Sequence, residues 1–398
     1  MMKQIVNIII VLFLSLGALA QDIDKNAYFK ALNFVQTQKT DSAILILNTK
    51  PDCYECQKLL SQIYYKNGDF LRSIRILKSV ENLYPAETNF ELARIFAKMG
   101  FAEESVAYLE KHFDYKNPKF YSEILSYTEF DAINTSSEWR EFWSINRYSK
   151  NALKLEEAIY LSSQKKSNEA LQILLNLKYS TAREIINYRL ALIYYEIANY
   201  SEASKHLQTA IEQSPKYIDA INLKLKIELA TDKNDAALLT NSKLLEIDIF
   251  TPQHLVMQAN LLLKNNNTEQ ALTYVNEFLK YFPTNEEATH LKTIILTKDQ
   301  NFRQALIELN ILMDKNPSEK DYFVQRGDIY YKLESWRFAA NDYSMALDIY
   351  PNLAEVWYHY GMCQFNLNDK EKACHAWQKA ANMKNRAATK MLYNECGL

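Results

Sequence analysis

Six alanines, Ala203, Ala237, Ala271, Ala305, Ala339 and Ala373, stand at successive intervals of 34 residues. Pro215, Pro283, Pro317 and Pro351 fall on the same interval, with Ile249 where a further proline would complete the series. A register sustained over this length is not a chance event. It requires a tandem array of one recurring supersecondary unit, each copy burying its apolar face against its neighbours. At 398 residues the chain is too long for one compact core, which agrees with an elongated array or two domains. The period places units from near Glu184, Ile218, Pro252, Glu286, Lys320 and Ala354. One more fits upstream, with Ala158, Leu161 and Ala170 a single residue out of register.

The unit is helical. Six glycines and eight prolines leave long runs rich in Ala, Leu, Glu, Lys and Tyr, a composition that predicts an all-α chain. Between Lys320 and Pro351, Phe323, Gly327, Tyr330, Ala339, Tyr343, Ala346 and Pro351 occupy slots 4, 8, 11, 20, 24, 27 and 32 of two successive helices. Gly327 and Ala339 are small where two antiparallel helices cross closely. Tyr330, Tyr343 and Ala346 fill the seam, and Pro351 ends the second helix because proline cannot continue one. On these residues the stretch resembles the tetratricopeptide repeat (TPR), whose period is 34 residues. The resemblance implies a right-handed α-solenoid of tandem helix-turn-helix repeats and a non-enzymatic scaffold.

A looser copy of the lattice precedes the regular one. Pro51, Pro85 and Pro118 are 34 and 33 residues apart. Tyr64, Ser73 and Leu77 then fill slots 11, 20 and 24 of one unit, and Ala93, Phe96, Ser105 and Leu109 fill slots 8, 11, 20 and 24 of the next. Ala31 and Ala43 mark an earlier, shortened unit. The lattice breaks over 119–148, which carries Phe130, Ile133, Trp139, Phe142 and Trp143. There, Asn134 to Ser137 are turn and cap formers, and Glu138 to Tyr148 is predicted as an amphipathic helix. This block resembles the aromatic closing segments of some secreted bacterial repeat proteins. Packing at the end of the first array is its expected role, with a ligand pocket at Trp139 and Trp143 as the alternative. The expected division is therefore two arrays, 22–118 and 149–385, joined by the block 119–148, with a capping helix and tail over 386–398.

The first twenty residues read as a signal. Lys3 gives a short positive region, Ile5 to Leu16 is almost wholly apolar, and Gly17-Ala18-Leu19-Ala20 offers a small-x-small cleavage pattern. The apolar run is short for a membrane span, so cleavage at residue 20 and a periplasmic or secreted chain are expected, with retention as an anchor the alternative. No cysteine follows Ala20, which disfavours a lipid anchor. A formal net charge of −2, without a basic stripe along the repeats, argues against nucleic acid as a partner.

An oxidising compartment brings the five cysteines into question. Cys53 and Cys56 form a C-x-x-C, but the strand and βαβ setting of a thioredoxin-like site are missing, and so is the second ligand pair of a zinc site. They are expected as two small residues at a helix start, reduced or locally bridged. His359, Cys363, Cys374 and His375 offer four zinc-type ligands, yet adjacent Cys374 and His375 diverge on a helix. Buried thiols are the leading expectation and a Cys363–Cys374 disulfide the next, with Cys396 left over. Asn134-Thr135-Ser136 matches a glycosylation sequon that carries no weight in a bacterial protein. No G-x-S-x-G, H-E-x-x-H, P-loop or glycine-rich dinucleotide turn occurs, so no catalytic residue, metal or cofactor is assigned.

In the resembled family, ligands lie in the concave groove against first-helix slots 2, 5, 9, 12 and 13. Carried onto this chain, those slots hold Tyr65, Tyr195, Tyr331 and Phe365 (slot 12), Tyr188 and Tyr358 (slot 5), Asp321 (slot 2) and Asp328 (slot 9). Val324 and Lys332 lie on the same groove side. Tyrosine suits recognition, since it offers large contact area and a polar tip at low entropic cost, although 27 tyrosines are spread along the chain. The Lys and Asn pair with which some family members clamp a C-terminal carboxylate is absent: Lys58 is matched by Gln62, and Asn260 by Val256. The expected function is an exported scaffold binding a protein or peptide in a cell-envelope assembly. The alternative is a sensor or regulatory repeat protein that binds a small molecule or metal.

Overall fold

The computed structural model describes residues 24–115, 119–177 and 183–397. The expected signal, residues 1–20, and Pro118 lie outside them. Among the described residues there is no strand, and no helix is long and apolar enough to cross a membrane. The chain divides into two compact units, one extending to His254 and the other beginning at Leu255. The aromatic block lies inside the first unit.

In the first unit a helix through residues 24–36 pairs with Thr40–Asn48, Tyr54–Lys66 with Phe70–Val80, and Pro85–Lys98 with Ala102–Phe113. After the block come Lys150–Ser163 with Ser167–Leu177, Arg183–Glu196 with Tyr200–Gln213, and Ile218–Ala230 with Asn234–Ile247. The pair Gln253–Lys264 and Thr268–Tyr281 begins at the division. The second unit continues with Glu286–Lys298 and Phe302–Lys315, Lys320–Lys332 and Trp336–Ile349, and Ala354–Asn366 and Lys370–Asn382.

Every hairpin in these pairs turns through one left-handed residue: Gln38, Gly68, Gly100, Lys165, Ala198, Asp232, Asn266, Gln300, Glu334 or Asn368. The next backbone N–H reaches back five residues, as from Asn199 to the Tyr194 carbonyl at 2.8 Å and from Asn301 to Leu296 at 2.8 Å. This closure satisfies carbonyls that the helix end would leave unpaired. The same residue then commonly starts the second helix. Asn199, Asn267, Asn301 and Asp369 each accept a backbone N–H three residues on through the side chain.

The lattice alanines have a common physical role. All six are fully buried, and they are small enough for the two helices of a pair to approach. Size is traded across the seam between slots 8 and 24. Ala191 faces a repeat with Leu207, and Ala259 one with Val275. Where slot 24 carries Tyr343 or Trp377, both fully buried, slot 8 is Gly327 or Gly361. A Cβ on Gly327 would lie 2.8 Å from Tyr343 Cε1, and one on Gly361 would lie 2.5 Å from Trp377 Nε1. Both are closer than real contacts allow.

The aromatic block packs on the third helix pair. It consists of the short helix Tyr121–Leu125, a 3-10 turn Thr128–Ala132 and the helix Ser137–Ser144. Phe130, Ile133, Trp139 and Phe142 are buried with Phe90, Ala93, Ala97 and Leu109. The last helix stops at Ser144, short of the expected Tyr148. Ile145 is extended, and Arg147 instead donates Nε–H to the Phe142 carbonyl at 3.1 Å. Neutral His112 pins the entry to the block. Its Nδ1 lies 3.1 Å from the Ala86 carbonyl, and Nε2 accepts the Lys119 N–H at 3.1 Å. Burial holds this imidazole below the usual histidine pKa.

Two covalent staples are present. Cys53 and Cys56 are disulfide-bonded within the core of the first helix pairs. At the other end, the helix Arg386–Met391 and the π-turn Leu392–Cys396 bury Ala388 and Leu392 beside Trp377 and Ala380. Here the sequence expectation needs correction: Cys374 bonds to Cys396, and Cys363 is a free, fully buried thiol pushed up to about 12 by desolvation. Cys363 points into the helix seam, whereas Cys374 meets the returning tail. One contact joins distant parts of the first unit. The Tyr28 ring meets Phe250 edge-on at 5.2 Å, and Phe250 joins the apolar cluster of Ala31, Leu47 and Leu60.

Candidate partner-binding surface

In the second unit the first helices of two successive pairs bring aromatic and acidic groups together. Asp328, on Lys320–Lys332, accepts the Tyr343 hydroxyl at 2.7 Å. Burial raises the pKa of its carboxyl, and the Tyr343 hydroxyl opposes that by stabilising the charged form. One repeat on, the His359 ring lies 5.1 Å from Tyr331, 5.3 Å from Tyr358 and 6.0 Å from Tyr343. Tyr331 also meets Trp336 edge-on at 5.2 Å. Tyr331, Tyr358 and His359 are each half-buried. The group thus offers ring faces and one desolvated carboxylate, a set that can hold both apolar and hydrogen-bonding portions of a ligand.

Of the eight sequence-predicted groove residues, Asp328, Tyr331 and Tyr358 are brought into this cluster. Asp321 is exposed at the start of the same helix, 3.2 Å from the Lys320 ammonium. Phe365 is instead packed against Trp377, with ring centroids 5.6 Å apart. In the first unit, Tyr188 lies against Tyr217 at 5.1 Å and Tyr195 against Tyr200 at 5.8 Å. Tyr65 is tied to the aromatic block, donating to Glu129 Oε1 at 3.1 Å. The Arg94 guanidinium binds the same oxygen at 2.5 Å and covers the Tyr127 ring at 4.4 Å. Burial and the Glu129 charge raise the Tyr65 hydroxyl to about 12.

Sequence reasoning missed two features. His359 was weighed only as a metal ligand, and its aromatic setting follows from neighbours one repeat away. The second is a buried ion pair: Arg326 binds Asp342 through Nε and Nη2, both at 2.7 Å, and Asn310 through Nη1 at 2.6 Å. Asp342 is 1% exposed. These charges sit at slots that read as solvated helix faces, and no local pattern distinguishes them.

Trp139 is buried at 5% exposure in the block's core, and only Trp143 reaches a cleft, of about 370 Å³, with Tyr121, Arg147 and Glu156. Among the described residues no three His, Cys, Asp or Glu side chains gather as metal ligands. Of the four zinc-type residues weighed above, Cys374 is engaged in a disulfide.

Two stretches match family models described as tetratricopeptide repeat, residues 186–217 and residues 355–383. Several solved structures are similar to parts of the chain at low identity. The C-terminal part of a TPR repeat-containing protein from Cytophaga hutchinsonii is 16% identical, with a TM-score of 0.50 over 60% of this chain and 99% of its own. A tetratricopeptide repeat protein from Parabacteroides merdae is 16% identical, with a TM-score of 0.45 over 61% and 97%. MamA from Desulfovibrio magneticus, residue 41 onwards, is 18% identical, with a TM-score of 0.39 over 41% and 93%. No curated protein matches the chain. The recurring helix pairs and the lattice of buried alanines give the chain the tetratricopeptide-repeat fold, and two of its repeats match the family models themselves.

Proposed function

We propose that the protein is an exported, non-enzymatic scaffold that binds a protein or peptide partner through the first-helix surface of its repeats, within a cell-envelope assembly. The observation that carries the reading is the cluster of Asp328, Tyr331, Tyr358 and His359, in which half-buried rings surround a desolvated carboxylate. Such groups give contact area and orientation without catalytic machinery. Export is supported by the Lys3, Ile5–Leu16 and Gly17–Ala20 pattern, and by the pairing of four of the five cysteines in disulfides, which suits an oxidising compartment.

The test has two arms. The full chain and a form lacking residues 1–20 are expressed in the native host, and the envelope and cytoplasmic fractions are compared; the truncated form is expected in the cytoplasm. Crosslinked partners of the wild type are then compared with those of Tyr331→Ala/Tyr358→Ala. Loss of one specific envelope partner in the variant is expected. Unchanged targeting refutes export, and an unchanged partner set refutes this binding surface.

A further inference from the structure

The second unit also carries a cleft away from the groove cluster. It has a volume of about 920 Å³ and opens between the helix Trp336–Ile349 and the last helix pair. None of its lining residues is among the groove positions. Its aromatic part is Trp357 and Tyr360, whose rings stand edge to face at 6.0 Å and 85°. The Trp357 indole N–H is satisfied by the Pro351 carbonyl at 2.8 Å, which fixes the ring. The buried Leu347 lies with them.

The charges in the lining are unbalanced. Lys372 is its one Lys or Arg, and it is already held by Asp369 at 2.7 Å, which is itself in the lining. Asp348 and Glu371 are both exposed, and among the described residues neither is within ion-pair distance of a cation, although the Glu371 charge acts on the neighbouring Lys372. The cleft therefore joins two unpaired carboxylates to a fixed indole and a phenol. This is the chemistry that receives a cation with a flat, polarisable face: a guanidinium stacks on the ring and pairs with carboxylate. An anion would be repelled, and a wholly apolar ligand would leave both carboxylates desolvated without a partner. The volume exceeds that of one side chain and falls in the range of sites that hold small ligands or short peptide segments.

We propose that this cleft is a second binding site, which takes an arginine side chain of a peptide or protein partner between Trp357, Tyr360, Asp348 and Glu371. It stands apart from the groove cluster, so a partner with a basic segment could engage both.

The full chain labelled with 5-fluorotryptophan tests this by fluorine NMR, with the Trp357 signal assigned from Trp357→Phe. The probe is the peptide acetyl-Gly-Arg-Gly-Arg-Gly-amide, and its control replaces both arginines with citrulline, which keeps the shape and removes the charge. The arginine peptide is expected to shift the Trp357 signal in a saturable way, with the shift weakened by added salt. Asp348→Asn/Glu371→Gln should weaken that binding at least tenfold, and Tyr331→Ala/Tyr358→Ala should leave it unchanged. Because Asp348 and Glu371 are exposed, their neutral variants retain the fold, which circular dichroism checks. Equal shifts from the two peptides, no shift at millimolar peptide, or full binding by the neutral variant each overturn the proposal. Loss of binding in Tyr331→Ala/Tyr358→Ala would show that the two sites are not distinct and overturn it as well.

Discussion

Gly361→Ala is the sharpest test of how the repeats accommodate large rings. The new methyl would sit 2.5 Å from Trp377 Nε1, 2.6 Å from Cδ1 and 3.1 Å from Cε2. Trp377 has little room to withdraw. It is fully buried, donates to the Tyr358 carbonyl at 3.3 Å and packs against Phe365. Overpacking of this kind costs roughly 1–3 kcal/mol, and three short contacts with a fixed ring place it toward the upper end. Alanine gains about 1 kcal/mol over glycine in a helix interior. The net expectation is a loss of about 1–2 kcal/mol, concentrated in the last two repeats. Hydrogen exchange over Ala354–Asn366 and Lys370–Asn382 localises it, and urea denaturation measures it. In a Trp377→Leu background the same substitution should cost nothing or stabilise, because the ring it strikes is gone; the resulting coupling energy isolates the contact. A Gly361→Ala protein as stable as the wild type, or more so, would refute the reasoning.

Other outcomes follow from the same packing. Glu334 is exposed and held at φ 54°, so Glu334→Gly should raise the stability of its repeat by about 0.5–1 kcal/mol, read as a higher urea midpoint. Arg326→Ala strands the buried Asp342 carboxylate and should cost about 3 kcal/mol, since the arginine keeps some solvent contact. Asp328 has a raised folded pKa, so its contribution to stability is fully present below the ordinary aspartate value and is lost as pH rises through the raised one. Asp328→Asn should therefore gain on the wild type as pH climbs from about 4 toward neutrality; denaturation across that range checks the slope, and the opposite slope overturns it.

The fold was readable because one physical requirement repeats. Two helices can cross closely only over a small residue, and that residue recurs as Ala203, Ala237, Ala271, Ala305, Ala339 and Ala373. The left-handed turn was harder to see, since eight of its ten positions carry residues other than glycine. There the hairpin's hydrogen bonds impose the conformation, and residue preference does not reveal it. The Cys374–Cys396 bond depends on how the last helix folds back, which the lattice does not encode. Resemblance supplied the candidate residues for the groove. Which of them share a cluster was decided by neighbours one repeat away, as with Tyr331 and His359.

The contact between Tyr28 and Phe250 changes how the first unit should come apart. A row of repeats ordinarily frays from its ends, each copy answering only to the next. Here two rings separated by roughly 220 residues meet, and closing so long a segment by chance in an unfolded chain would cost on the order of 5 kcal/mol in entropy. The folded repeats between them remove most of that cost by holding the two rings near each other. Melting any repeat in between therefore also weakens a contact outside it. Losses no longer stay local, and the six helix pairs should unfold more nearly as one cooperative body than an open row of the same length.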